Sequence, residues 1–325
     1  MRAAAGSRPG WRRLLPWVVT PLALVLAGWL LYRTLGRYEP AELWAAVTAV
    51  PAARLLGAAA FAATSYFCLT GFDFLATRWV GRPLPYRQVA LASFTSLSLG
   101  HNIGLAALSS GAVRYRFYTR WGLSAAEVAK LILFCAMTVG LGLVVLGAAA
   151  LLLQPALAER VTGLARPAVL ALGATCLAIP LAYLALSALA RAPLRFRSWT
   201  LDMPPPRLAV AQLVIGPLNF ACVAACLHQT LLAVADLPYL AVASAYVIAN
   251  VAALVTHVPG GLGVIESVVQ YLLPQADLIG ALLVFRFVYF LAPLALGSAS
   301  LVLSEILLRR RAAAFPRHAP AGKPA

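Results

Sequence analysis

The sequence predicts an all-α, polytopic membrane protein: six spanning helices plus two re-entrant helical hairpins, in an inverted-repeat arrangement. Three observations carry that prediction. Of 325 residues, 62% are hydrophobic and only 11% are charged, whereas soluble domains carry about 25% charged residues. Charge this sparse cannot cover a water-facing surface. Six segments hold the ~20 mostly apolar residues that a spanning helix needs: 14–32, 55–78, 128–153, 167–190, 208–235 and 277–307. Two further apolar regions, 88–122 and 239–275, are each interrupted by glycine or by Pro-Gly-Gly.

Taken in order, residues 1–13 form a basic cytoplasmic tail with Arg2, Arg8, Arg12 and Arg13. The apolar run 14–32 is longer than the usual signal-peptide core, and no small-residue cleavage site follows it, so it reads as a retained first helix. Residues 40–50 look like an interfacial amphipathic helix with Trp44 at the boundary. A single transmembrane domain covers 14–308. Within it, 191–207 carries Pro204, Pro205, Pro206 and four arginines and reads as a cytoplasmic linker. Residues 309–325 form a second basic tail, disordered and cytoplasmic.

The basic residues decide how the two broken regions lie. If both cross the bilayer fully, the loops and tails hold 14 Lys+Arg inside and 10 outside. If both enter and return to their own side, the split is 19 to 5, with Lys130 and Arg286 left in the membrane. The second split fits the positive-inside rule far better. Region 88–122 is therefore expected to enter from the cytoplasm and turn between Gly100 and Gly104. Region 239–275 is expected to enter from outside and turn at Pro259, Gly260, Gly261 and Gly263. Both termini are cytoplasmic. Two broken hairpins entering from opposite faces are the pattern of inverted-repeat transporters. Irregular backbone at membrane depth is tolerated only where protein buries it or water wets it, so two such tips imply a polar cavity.

Several function classes fall away. The net charge of +16 lies mostly in loops and tails, which is topogenic and attracts anionic lipid headgroups; there is no nucleic-acid motif. Five cysteines scattered through apolar runs make neither a disulfide framework nor a zinc spacing. Cys222, Cys226 and His228 fall close together, but small packing residues are the better reading of them. No metal, cofactor or catalytic constellation is expected.

Ionisable residues inside the membrane are costly and mark function by default. Asp73 lies near the cytoplasmic end of its helix, either snorkelling or paired with an arginine. Arg114 follows Ser109, Ser110 and Gly111, where an arginine fork and free amides would suit a lipid phosphate. Arg116 and Arg120 read more readily as topogenic charges. Glu127 and Lys130 lie at the start of the following helix. Glu266 sits in the first turn after Gly263, as a helix-start acid or as a partner. Arg286, in mid-helix, needs a buried partner: Glu266 first, Asp277 second. Asn102, His101, Asn250 and His257 mark the hairpins and can each satisfy broken backbone; His257 can also titrate near neutral pH. The substrate path is thus assigned to Asp73, Asn102, Arg114, Arg116, Glu266 and Arg286.

Three stretches carry a family resemblance: GFDFLATRWVGRPLPYRQ, SLGHNIGLAALSSGAVRYRFYTRWGLSAAEVAKLILF and HVPGGLGVIESVV. Together they resemble the transmembrane region of lysylphosphatidylglycerol synthases and the stand-alone membrane proteins that share it. Ser110 stands where that pattern has the first of two glycines; Pro-Gly-Gly-Leu-Gly-x-x-Glu is intact over 259–266. The resemblance implies a flippase-like domain of the bacterial inner membrane and favours roles for Asp73 and Arg114. It implies membrane phospholipid partners, anionic or aminoacylated, and allows a homo-oligomer or a separate lipid-synthesising enzyme. The sequence ends at Ala325 with no cytosolic synthase domain, so an enzyme activity is not expected. The alternatives are an ion-coupled transporter of a small soluble substrate and an accessory membrane subunit of a lipid-modifying enzyme.

Overall fold

The computed structural model describes residues 40–103, 106–189, 194–196, 199–274 and 276–314. The tail 1–13, the expected first span 14–32, Gly104 and the residues beyond Ala314 lie outside that set. Helix α1 (Pro40–Ala49) leads into α2 (Ala52–Trp79), α3 (Tyr86–Ile103), α4 (Ala106–Arg120), α5 (Ala125–Leu153), α6 (Pro155–Thr162) and α7 (Arg166–Leu189). A small antiparallel ribbon, β1 (Leu194–Phe196) and β2 (Trp199–Leu201), interrupts the linker. Then come α8 (Pro206–Leu231), α9 (Tyr239–Thr256), α10 (Val264–Leu272), α11 (Ile279–Arg286) and α12 (Ala292–Ala314). A π-helical turn, Phe287–Leu291, joins the last two.

Six stretches are long and apolar enough to cross a membrane: Ala52–Trp79, Ala125–Leu153, Arg166–Leu189, Pro206–Leu231, Tyr239–Thr256 and Ile279–Ile306. Five coincide with spans read from the sequence. The sixth, α9, belongs to the region expected to be re-entrant, and by length and composition alone it also qualifies. The last helix runs on to Ala314, past residue 308 where the sequence places the end of the domain.

The centre of the fold is α2 packed on α8, with α5 packed against both. At the α5–α8 crossing the backbones nearly touch. A methyl group at Gly142 would lie 2.5 Å from the Gly216 carbonyl carbon, and one at Gly216 would lie 2.7 Å from the Thr138 carbonyl oxygen. Small residues permit such crossings where packing rather than the hydrophobic effect joins helices. Gln212 secures the crossing: its amide nitrogen donates to Thr138 Oγ1 (2.7 Å), and its carbonyl accepts from Tyr183 Oη (2.5 Å). The last spanning stretch is the most buried of the six and α7 the least. Leu172, Ile179, Leu181 and Leu189 of α7 are exposed, as suits a peripheral helix facing lipid.

Helices α3 and α4 pack on each other as a pair. The residues flanking the pair meet: Arg82 Nε donates to Glu127 Oε1 at 2.9 Å. Ser124 and Glu127 also form a reciprocal capping box that starts α5. The same basic face holds Lys130 against Asp202 (3.0 Å) and Arg116 and Arg120 against Glu305. The pair therefore starts and ends on one face of the molecule. The opposite face holds Arg54 Nη1 against Gln229 Oε1 (3.3 Å), and there α6 and the end of α10 line one shallow depression. Helix α9 is about 27 Å long and α10 about 13 Å, and the two pack on each other.

Candidate functional site

Within the turn expected between Gly100 and Gly104, Gly100 stays helical and α3 continues through Ile103; Gly104 lies outside the described residues. The second break falls where the sequence placed it. Gly260, Gly261 and Gly263 have φ of 61°, 60° and 81°, a region L-residues avoid and glycine enters freely. His257 just before them, at φ 53°, closes α9; its Nδ1 lies 2.9 Å from the Val255 carbonyl, which is the structural reading of that histidine.

The end of α3 meets the second break. The 3-10 turn Pro259–Gly261 packs on α3, and a methyl group at Gly260 would lie 3.7 Å from the His101 carbonyl and 3.6 Å from Arg286 Nη1. Arg286 is 3% exposed, and all three of its guanidinium nitrogens are engaged. Nε donates to Glu266 Oε1 (2.5 Å), Nη1 to the Gly260 carbonyl (2.9 Å) and Nη2 to the Gly261 carbonyl (3.4 Å). Arg286 thus satisfies the carbonyls that the glycine turn leaves out of any helix. Glu266 has both roles open to it from sequence: Oε1 pairs Arg286, while Oε2 accepts from the Gly263 amide (2.9 Å) and caps α10. Asp277, the second choice as partner, instead caps α11 through the Ile279 amide. On the other side of the tip, Asn102 Nδ2 donates to the Phe290 carbonyl (3.3 Å) within the π-turn and to the Ser98 carbonyl (3.0 Å).

A second buried cluster lies along the same hairpin. Ser110, Arg114 and Tyr118 are spaced by four on α4 and so share one face. That face meets Asp73, which is fully buried. Arg114 grips Asp73 as a fork, Nη2 to Oδ1 at 2.7 Å and Nε to Oδ2 at 3.0 Å, and its Nη1 donates to Ser110 Oγ at 3.0 Å. Tyr118 Oη (2.7 Å) and Cys135 Sγ (3.3 Å) also donate to the carboxylate. The pairing read from sequence is present, and the snorkelling alternative is not. The whole Arg114 fork is occupied by protein groups in this state. Arg116, 8% exposed, pairs with Glu305 of α12, a partner the sequence reading missed. An acid near the end of an apolar helix was the signal for it.

The sequence reading also missed the polar side chains beside the meeting point, because Ser, Tyr and Asn in apolar runs carry no charge to flag them. Ser65 Oγ donates to Asn219 Oδ1 (2.7 Å) and lies 2.9 Å from Tyr289 Oη. Tyr66 Oη donates to the Tyr289 carbonyl (3.3 Å). His101 stacks on Tyr289 with centroids 6.4 Å apart. Among the described residues no group of three His, Cys, Asp or Glu could hold a metal. The ring of His228 lies against the Leu237 carbonyl (2.8 Å), and Cys222 and Cys226 are buried free thiols.

No family model matches the chain. It is 27% identical over 311 residues to the inner membrane protein YbhN of Escherichia coli K12, covering 92% of this chain and 95% of the relative. It is 33% identical over 262 residues to the uncharacterized protein slr0712 of Synechocystis sp., covering 79% of this chain and 81% of that protein. The chain is thus a multi-pass membrane protein that belongs to the same family as slr0712 and is homologous to YbhN.

Proposed function

We propose that this protein is a lipid translocase, moving a phospholipid or a related lipid with a phosphate-bearing headgroup across the bacterial inner membrane. One observation carries the reading: the end of α3 meets the broken turn Pro259–Gly261 inside the molecule, around a buried arginine that satisfies the broken backbone. Helix breaks meeting near mid-membrane are how many secondary transporters build a substrate path. On this reading 88–122 and 239–275 are re-entrant, and the basic face is cytoplasmic together with both termini. The headgroup passes between the hairpins while the acyl chains stay in lipid. Asp73 and Arg114 serve the cytoplasmic half of the path, and Glu266 and Arg286 the outer half. The likeness to the transmembrane region of lysylphosphatidylglycerol synthases supports a lipid over a soluble substrate. It also points to phospholipids, anionic or aminoacylated, and to a separate enzyme that makes them. No chemistry on the lipid is assigned to this chain.

The test is lipid movement in vesicles that contain the purified protein, read as fluorescent phosphatidylglycerol protected from or exposed to external dithionite. Wild type is expected to move the lipid. Arg114→Ala and Arg286→Ala are expected to slow it about ten-fold or more, the loss from removing one charge-assisted contact of about 1.5–3 kcal/mol. Equal rates for wild type and both variants would sink the assigned roles, and no movement by wild type would sink the function.

A further inference from the structure

Three buried side-chain atoms among the described residues have no hydrogen bond of good geometry: Thr95 Oγ1, Ser98 Oγ, which has only the Tyr66 hydroxyl near it, and His101 Nδ1. All three belong to α3. They are three residues apart, each step rising about 4.5 Å and turning about 60° around the helix, so they form a winding stripe that leads from mid-helix to the end of α3 beside the second break. Thr95 and Ser98 are fully buried. Each unsatisfied buried group costs about 1–3 kcal/mol, and native interiors rarely leave such groups unpaired. Three on one helix point to a surface that is polar for another state.

Ser98, in the middle of the stripe, faces α12. That helix packs on α3, and the contact is close only because residue 297 is glycine. A methyl group there would lie 2.5 Å from Ser98 Cβ and 3.7 Å from the Thr95 carbonyl. The seam is fastened at both ends. At the tip, Asn102 donates to the Phe290 carbonyl just before α12. At the basic face, Arg116 and Arg120 of α4 pair with Glu305 of α12. Between these fastenings lies the unsatisfied stripe.

We infer that the seam between α3 and α12 is the lateral gate of the translocation path, and that Thr95, Ser98 and His101 line it for a phosphate-bearing headgroup when it opens. This inference rests on the lipid-translocase reading and gives it a route. In the closed state the seam excludes lipid, and the three polar groups lack well-formed hydrogen bonds. When α12 moves away, hydroxyl and imidazole donors face the headgroup's phosphate oxygens and water. Opening breaks the Glu305 ion pairs at one end and the Asn102 bond at the other. The closed state is thus held by few polar contacts and opposed by three unsatisfied groups, a balance that lets a ligand shift the population.

The test uses full-length protein in phosphatidylcholine–phosphatidylglycerol vesicles and reads modification of Thr95→Cys and Ser98→Cys by a small charged methanethiosulfonate reagent. Native cysteines lie in α2, α5, α7 and α8, away from the seam. Both positions are expected to react, and Glu305→Gln is expected to speed the reaction several-fold by releasing the latch. Gly297→Ala, whose methyl group would lie 2.5 Å from Ser98 Cβ, is expected to wedge the seam and to speed the labelling of Thr95→Cys. Cysteines at 95 and 98 that stay unreactive, both with Glu305 intact and in the Glu305→Gln background, would overturn the gate, as would labelling of Thr95→Cys unchanged by the wedge. Reactive cysteines in a protein that moves no lipid would leave the opening seam standing and remove the lipid reading alone.

Discussion

Asp73 shows what a single residue settles in a membrane interior. An unpaired carboxylate there would protonate, and this one instead accepts four hydrogen bonds, two of them from one arginine. Removing one member of a buried pair leaves the other charge uncompensated, at a cost of about 3–5 kcal/mol, whereas replacing both with neutral groups is far less damaging. Arg114→Gln is therefore expected to lower the unfolding temperature in detergent sharply, and Asp73→Asn with Arg114→Gln to recover much of the loss. A double variant no more stable than Arg114→Gln would show that the pair is not the stabilising unit. This pair was legible in the sequence because charges in apolar runs are few, so each has few possible partners. The same reasoning found Glu266 for Arg286. It did not find Glu305, since Arg116 and Arg120 had a sufficient explanation in the positive-inside rule and raised no demand for a partner.

At the scale of elements, apolar length identified the long helices and glycine identified the breaks, with different accuracy for the two. Gly260, Gly261 and Gly263 adopt backbone angles that only glycine takes without strain, so composition and conformation agree there. Gly100 remains helical, because a lone glycine weakens a helix by about 1 kcal/mol without ending it; composition alone could not tell that site from a turn. Glycine within α5 makes the distinction testable. Gly140 has open space around its missing side chain, whereas Gly142, two residues on, abuts the Gly216 backbone. Gly140→Ala is expected to leave stability unchanged or raise it by up to about 1 kcal/mol. Gly142→Ala must force α5 and α8 apart and is expected to lower the unfolding temperature by several degrees. Thermal unfolding of the two single variants side by side measures the difference, and equal behaviour would mean that the crossing is looser than described.

For the whole molecule, the distribution of arginines constrains the path of the chain more than any motif does. Positive charges collected on one side favour a segment 88–122 that returns to its starting face, and the ion pairs are those such a path would make. Arg82 before the hairpin meets Glu127 after it, and Arg116 and Arg120 at its foot meet Glu305 near the end of α12. A fully crossing segment would carry Arg120 and Glu127 to the face of Arg54, away from Arg82. Sidedness in the bilayer is open to direct measurement. Single cysteines at Arg82, Arg120 and Arg160, all exposed positions, can be probed with a membrane-impermeant maleimide in intact cells and in inverted vesicles. Arg82→Cys and Arg120→Cys are expected to label only in inverted vesicles, and Arg160→Cys only in intact cells. The exposed Arg82 pair contributes at most about 1 kcal/mol, so its loss leaves the fold in place. Labelling of positions 82 and 120 from opposite sides would refute the returning hairpin. Labelling of both from outside would keep the hairpin and invert the protein, placing the basic face against the wrong leaflet for the proposed path.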